Sequence, residues 1–175
     1  MKIIVSLVLT ALFFSCSSIS SKSDYDKTTD FSQYKKYMWF VGDQPEDDLS
    51  RNPMVKKQIH AAVDNTLKQK GMTLVDGDDA DFIVVIHGGS EDRMQIYSSG
   101  GIGWYGPWWG PYGDRTDVSY YEEGTLIIDI VDAEKKELTW RGMASAAGKD
   151  HSNAEDMKKY FDEIVERIFK DFPPE

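Results

Sequence analysis

Cysteine is nearly absent from this chain of 175 residues, since Cys16 is the only one. A single cysteine forms no internal disulfide, and it leaves no pair of thiolates for a structural zinc ion. Histidine is also scarce, with only three, and none stands at metal-ligand spacing from another histidine or from Cys16. We therefore expect a fold without disulfides, and neither a metal nor a cofactor is expected.

The chain also lacks a long hydrophobic run. Its most apolar stretch covers residues 3–14 and is broken only by Ser6 and Thr10. About a dozen residues is too short for a membrane-spanning helix, which needs roughly 20. With Lys2 before it and Ser15 after it, the stretch is typical of a secretion signal peptide over residues 1–15.

Basic residues are fewer than acidic ones, 20 against 30, which gives a formal net charge of −10. Phosphates repel such a chain, so nucleic acid is not an expected partner. Sequence motifs of catalysis are missing as well: there is no G-x-S-x-G, Walker loop or H-E-x-x-H. Gly101, Gly103 and Gly106 match G-x-G-x-x-G, but Pro107 and the aromatic residues after it leave no helix to receive a phosphate.

The segment Leu12–Cys16 resembles a bacterial lipobox, in which the leader is cut before a cysteine that carries diacylglycerol. Leucine stands four residues before Cys16, and Phe13 occupies the commoner leucine position. An ordinary signal peptide with an incidental cysteine is the alternative. The resemblance implies a membrane anchor at acylated Cys16, and Ser17 in place of aspartate favours the outer membrane, with the protein facing the periplasm.

The rest of the chain divides into a polar stretch and one domain of ordinary size. The serine-rich residues 16–30 predict a flexible tether that lets the folded part stand off the bilayer surface, followed by a single domain over residues 31–175. Asn52 and Pro53 predict the start of a first helix, and Ser152 is the expected N-cap of a second. Apolar runs predict five strands, over residues 37–41, 72–75, 82–86, 124–131 and 138–144.

These elements predict an α+β fold in the order β-α-β-β-β-β-α. We expect a mostly antiparallel sheet with both helices packed on one face. The continuous apolar run at residues 82–86 favours a strand covered on both sides. Arg141 is expected to face away from Trp140 and to pair with Asp129 on the neighbouring strand, whereas His60 is expected on the solvated side of the first helix.

Residues 98–115 are rich in glycine and aromatic rings and are expected to form the loop of a long hairpin. The sequence leaves two interpretations of these aromatic rings open. The rings form a surface for a partner, since exposed aromatic patches usually mark contact, or they fold back onto the sheet. The candidate partner-binding residues are Trp104, Tyr105, Trp108, Trp109 and Tyr112.

Several segments together resemble the bacterial lipoprotein family called domain of unknown function 4136. The similarity covers about residues 24–173 and lies in Asp30–Lys35, Asn52–Pro53, Lys70–Met72, Ala80–Phe82, Gly124–Asp129, Leu138–Gly142 and Phe172–Pro173. The family has no assigned activity. The resemblance therefore implies a lipoprotein domain and no catalytic residues.

The leading hypothesis is a non-enzymatic binding or assembly module in the cell envelope, with an envelope protein or a glycan as its partner. A glycan- or cell-wall-active enzyme is the second hypothesis, and it would use acidic residues such as Glu122, Glu123 and Asp129. A carrier of a small apolar ligand is the third, and it requires an apolar pocket.

Overall fold

The structure, a computed structural model, describes residues 19–42, 44, 46–77, 79–89, 124–145 and 153–174. They form a six-stranded sheet in the order β1-β6-β5-β4-β2-β3, with two α-helices. The strands are β1 (Ser20–Tyr25), β2 (Lys36–Trp39), β3 (Thr73–Leu74), β4 (Phe82–Gly89), β5 (Thr125–Asp132) and β6 (Leu138–Ser145). The helices are α1 (Pro53–Gln69) and α2 (Ala154–Ile168), and short 3₁₀ turns cover Phe31–Gln33 and Phe169–Asp171.

The α+β class is confirmed, with two differences in the sheet. β1 is a sixth strand, so the prediction of a flexible tether over residues 16–30 is wrong from Ser20 to Tyr25. β2 pairs in parallel with both β3 and β4, whereas the other three pairs are antiparallel. β3 is parallel to β2 because α1 first carries the chain back along the sheet, and the segment between β3 and β4 returns it again, so that β4 is parallel as well.

Local signals in the sequence fix both ends of α1. The side chain of Asn52 accepts a hydrogen bond from the Val55 amide at 3.4 Å, and Pro53 occupies the first turn, where no amide partner is needed. Gly71 follows the helix with a φ of 82°, a conformation that favours glycine. The predicted first helix is therefore confirmed in position and in its caps.

The second helix begins one residue later than the sequence predicted. Asn153 is the N-cap, and its side chain accepts hydrogen bonds from the amides of Glu155 and Asp156 at 3.0 and 2.9 Å. The expectation that Ser152 caps this helix is therefore wrong. Glu155 and Asp156 also suit the positive end of the helix dipole.

Both helices pack on one face of the sheet, which buries the main hydrophobic core. Trp140 lies at its centre and stacks on Phe169 with ring centroids 5.3 Å apart. The opposite face carries a smaller apolar cluster around Ile83, Val85 and Val131. All eight residues of β4 are buried, which confirms the prediction of a strand covered on both sides. No helix among the described residues has the length and apolar character to cross a membrane.

Candidate functional site

Three chain segments meet at one end of the sheet, which we call the anchor end. Ser145, the last residue of β6, pairs with Ser20 at the start of β1 and with Thr125 at the start of β5. Gly89, the last residue of β4, pairs with Thr125 as well. The N-terminal segment, residues 90–123 and residues 146–152 therefore all join the sheet at its anchor end.

The predicted site residues belong to two of those segments and lie outside the described residues. They are Cys16, Trp104, Tyr105, Trp108, Trp109 and Tyr112. The structure does describe the residues to which these segments connect. Ile19 packs against the main core, and its carbonyl oxygen accepts a hydrogen bond from Arg167 Nη1 at 3.3 Å. Only residues 17 and 18 separate Cys16 from this fixed point.

A cluster of ionisable side chains occupies the sheet face opposite the helices. Asp129 on β5 is fully buried, and Arg141 on β6 donates to both of its oxygens, at 2.6 Å from Nε and 2.7 Å from Nη2. His87 on β4 places Nε2 3.4 Å from Asp129 Oδ2. The expected pairing of Arg141 with Asp129 is confirmed, and His87 is a member of the cluster that the sequence did not predict.

The chemistry of this cluster is that of a stabilised carboxylate. Burial alone would raise the pKa of Asp129, but the charge and hydrogen bonds of Arg141, with a further contribution from His87, lower it well below its usual range. A carboxyl group held so firmly in its ionised form is a poor general acid. The arrangement fits a structural role for Asp129 and gives no support to acid catalysis by it.

A second polar cluster lies on the helix side, where β2 meets α1. Asp64 Oδ1 accepts hydrogen bonds from the Tyr37 hydroxyl at 2.7 Å and from Trp39 Nε1 at 3.1 Å. The His60 ring stacks on Trp39 with centroids 3.7 Å apart, and its Nε2 is buried without a hydrogen bond. Burial, aided by the charge of Lys56, lowers the pKa of His60. The expectation of a solvated His60 is therefore wrong.

Two aspartates for which the sequence predicts no role hold loops onto the sheet. Asp81 Oδ2 accepts hydrogen bonds from the amides of Lys35 and Lys36 at 2.8 and 2.7 Å. Asp47 is buried and accepts one from the Gly88 amide at 3.0 Å. Both carboxylates bind main-chain donors, which is a structural use of the charge. No group of three or more metal-ligating side chains occurs among the residues that the structure describes.

Comparison with known proteins identifies a family and a set of related folds. The family described as domain of unknown function (DUF4136) matches residues 21–174. A DUF4136 family protein from Bacteroides thetaiotaomicron superposes with a TM-score of 0.63 at 18% identity, over 90% of this chain and 97% of that one. A PDZ domain protein from Parabacteroides distasonis gives 0.55 at 14% identity, over 91% of this chain and 37% of that one. No curated protein matches the sequence.

Proposed function

Because the chain belongs to the DUF4136 family, which has no assigned activity, we propose that it is a lipid-anchored lipoprotein of the bacterial cell envelope. In this proposal, the leader over residues 1–15 is removed, and acyl chains on Cys16 hold the protein in the outer membrane, facing the periplasm. Two or more acyl chains bury enough methylene groups for lasting attachment, at about 0.8 kcal/mol each. The folded domain acts as a non-enzymatic binding or assembly module.

The main structural support for this proposal is that Ile19 is held against the folded domain. From Cys16 to Ile19 the chain advances three residues, which span at most about 11 Å when fully extended. An acylated Cys16 would therefore hold the domain directly at the lipid surface, with its anchor end nearby. A binding module that works on membrane-bound partners gains from such confinement, because it raises the effective concentration of both partners.

The aromatic segment is the part of the chain that we propose contacts the partner. Residues 98–115 lie in the connection between Gly89 and Gly124, and both of these residues are at the anchor end. Tryptophan and tyrosine provide large contact areas with a polar tip, and they are frequent at binding interfaces. The partner in this proposal is another envelope protein or a glycan close to the membrane, contacted by Trp104, Tyr105, Trp108, Trp109 and Tyr112.

The test is crosslinking of the full-length protein in its native cells, followed by mass spectrometry. A variant with Trp104, Trp108 and Trp109 changed to Ala is expected to lose most of its crosslinked partners and to stay in the membrane fraction. Leu74→Ala is the matched control, because Leu74 is apolar, 47% exposed and near the other end of the sheet. Its partners should not change.

A Cys16→Ser variant separates the anchor from the aromatic segment. It is expected to leave the membrane fraction because it has no sulfur to acylate. Retention of this variant in the membrane after its leader has been removed would contradict the lipid anchor. Unchanged partners in the triple tryptophan variant would contradict the role of the aromatic segment.

A further inference from the structure

β1 forms one edge of the sheet, and no described strand lies beyond it. Five of its six residues are exposed. The Asp26 amide donates to the Thr139 carbonyl at 2.8 Å, so alternate residues of β1 direct their main-chain groups towards β6. The main-chain groups of Ser21, Ser23 and Tyr25 therefore point outward from the sheet.

An edge of this kind can accept another strand. β1 is six residues long and contains no proline, and Lys22 and Asp24 are its only charged residues. One outward amide is covered, because Tyr25 donates to the side chain of Asp24 at 2.9 Å. This short local hydrogen bond is easily exchanged for one to a neighbouring strand. The outward groups of Ser21 and Ser23 remain a ready template for pairing.

We propose that β1 pairs in antiparallel fashion with β1 of a second copy of this chain, around a two-fold axis at Ser23. In this register, Ser23 faces Ser23 of the second copy and Ser21 faces its Tyr25, so the outward main-chain groups meet as hydrogen-bonded pairs. Lys22 then faces Asp24 of the second copy, and the two-fold axis repeats this contact. Opposite charges directly across two strands stabilise the pairing.

The charges also disfavour the neighbouring registers. A shift of two residues in one direction brings Lys22 opposite Lys22 of the second copy. The same shift in the other direction brings Asp24 opposite Asp24. Like charges directly across two strands are destabilising, so Lys22 and Asp24 select the register centred on Ser23. This self-complementarity favours a second copy over an unrelated peptide.

A ladder of six residues is smaller than the interfaces of stable dimers, so membrane confinement is expected to strengthen the pairing. This step alone rests on the proposed lipid anchor. In the proposed register the two Ser20 residues are six positions apart along the ladder, about 20 Å. Both acylated Cys16 residues can then reach one bilayer when the ladder runs along its surface.

Disulfide crosslinking of the full-length protein in isolated membranes tests the register. A Ser23→Cys variant is expected to form a disulfide-linked dimer, because facing residues of a hydrogen-bonded pair have Cα atoms about 5.5 Å apart, within disulfide range. Ser21→Cys is the matched control, since it is also exposed and outward but would lie about 13 Å from its counterpart. The parent chain, with Cys16 alone, measures crosslinking through Cys16.

A Ser23→Cys variant that folds, as judged by circular dichroism, and forms no dimer would overturn the proposal. Equal dimer yields from Ser21→Cys and Ser23→Cys would overturn it too. In a Ser23→Cys background, K22D and D24K are each expected to reduce the dimer yield several-fold, and the double change K22D/D24K is expected to restore it. Dimerisation of the parent chain through a free Cys16 thiol would count instead against the lipid anchor, which keeps the two failures distinguishable.

Discussion

At the scale of single residues, the ion pair between Asp129 and Arg141 matters because its carboxylate is buried. Asp129 is fully buried, whereas the Arg141 side chain is 37% exposed, so the pair joins the interior to the surface of the sheet. An ion pair of this kind contributes little net stability compared with apolar residues, but loss of one partner leaves a charge without its counterpart. The His87 ring also contacts the Asp129 carboxylate.

We expect Arg141→Met to lower the free energy of unfolding by about 3–5 kcal/mol, because it leaves the buried Asp129 charge uncompensated. Arg141→Lys should cost less, since it keeps the charge and loses the two-pronged geometry. Urea unfolding monitored by tryptophan fluorescence measures both. Asp76→Asn is the control, because Asp76 is exposed and the change should stay within about 0.5 kcal/mol. An equally mild effect of Arg141→Met would show that the pair is not structurally important.

The same pair predicts how stability depends on pH. The pKa of Asp129 is lower in the folded state than the unfolded value near 3.9. Its contribution is therefore fully present above about pH 4 and is lost as the pH falls towards the folded-state pKa. In the same unfolding experiment, the wild type should lose stability faster below pH 4 than an Asp129→Asn variant.

Sequence reasoning found the Asp129–Arg141 pair because alternation along two strands identifies which side chains share a face. It failed for His60, because helical periodicity does not reveal that the Trp39 ring reaches over the helix from β2. Asp81 lies in the segment Ala80–Phe82 that resembles the family, but its role could not be predicted, because its partners are main-chain amides 45 and 46 residues away. Contacts between a side chain and a distant backbone leave no pattern in the sequence.

At the scale of secondary-structure elements, β1 and the close packing of α2 on β6 are the informative features. β1 was missed because its serine-rich sequence lacks apolar alternation, and main-chain hydrogen bonds to β6 hold it instead. β2, β4, β5, β6 and both helices were predicted because each buries apolar side chains, whereas both residues of the short β3 are exposed. The parallel pairing of β2 could not be read from the sequence, since strand direction depends on where α1 returns the chain.

We expect Gly142→Ala to lower the free energy of unfolding by about 1–3 kcal/mol. A methyl group at Gly142 would overlap the Trp140 ring and lie 2.5 Å from Ile168 Cγ2, so α2 would have to move away from the sheet. Thermal unfolding by circular dichroism measures the effect. Ser23→Ala on the exposed β1 is the control and should leave the melting temperature nearly unchanged. An unchanged melting temperature for Gly142→Ala would show that the contact of α2 with β6 yields easily.

At the scale of the whole molecule, the short link between Cys16 and the folded domain is the feature with consequences for the proposed function. A flexible tether over residues 16–30 would let the domain move about 20 Å from the membrane. Because Ile19 already belongs to the folded domain, the chain from Cys16 reaches only about 11 Å even when fully extended. The proposed module would thus work only on partners at the membrane surface.

A spacer tests this restriction directly. Ten Gly/Ser residues inserted between Ser17 and Ser18 have a root-mean-square span of about 17 Å by themselves, so they would loosen the attachment without changing the fold. We expect the protein to stay in the membrane fraction and to lose crosslinks to its surface-bound partners. A matched insertion after Glu134, in the exposed turn between β5 and β6, should leave the crosslinks intact. Intact crosslinks with the Ser17 spacer would contradict a need for close attachment.

If the chain is exported as proposed, the pairing of β1 with β6 also sets an order of events. Ser20 pairs with Ser145. β1 therefore has no described strand to pair with until more than four-fifths of the chain has been made. In the proposed lipoprotein, β1 would until then have no strand to pair with, and a processing enzyme would meet Cys16 before the sheet is complete. Pairing of β1 with β6 would then bring the domain close to the proposed site of attachment. The proposed modification of Cys16 would therefore have time to finish before β1 joins the sheet.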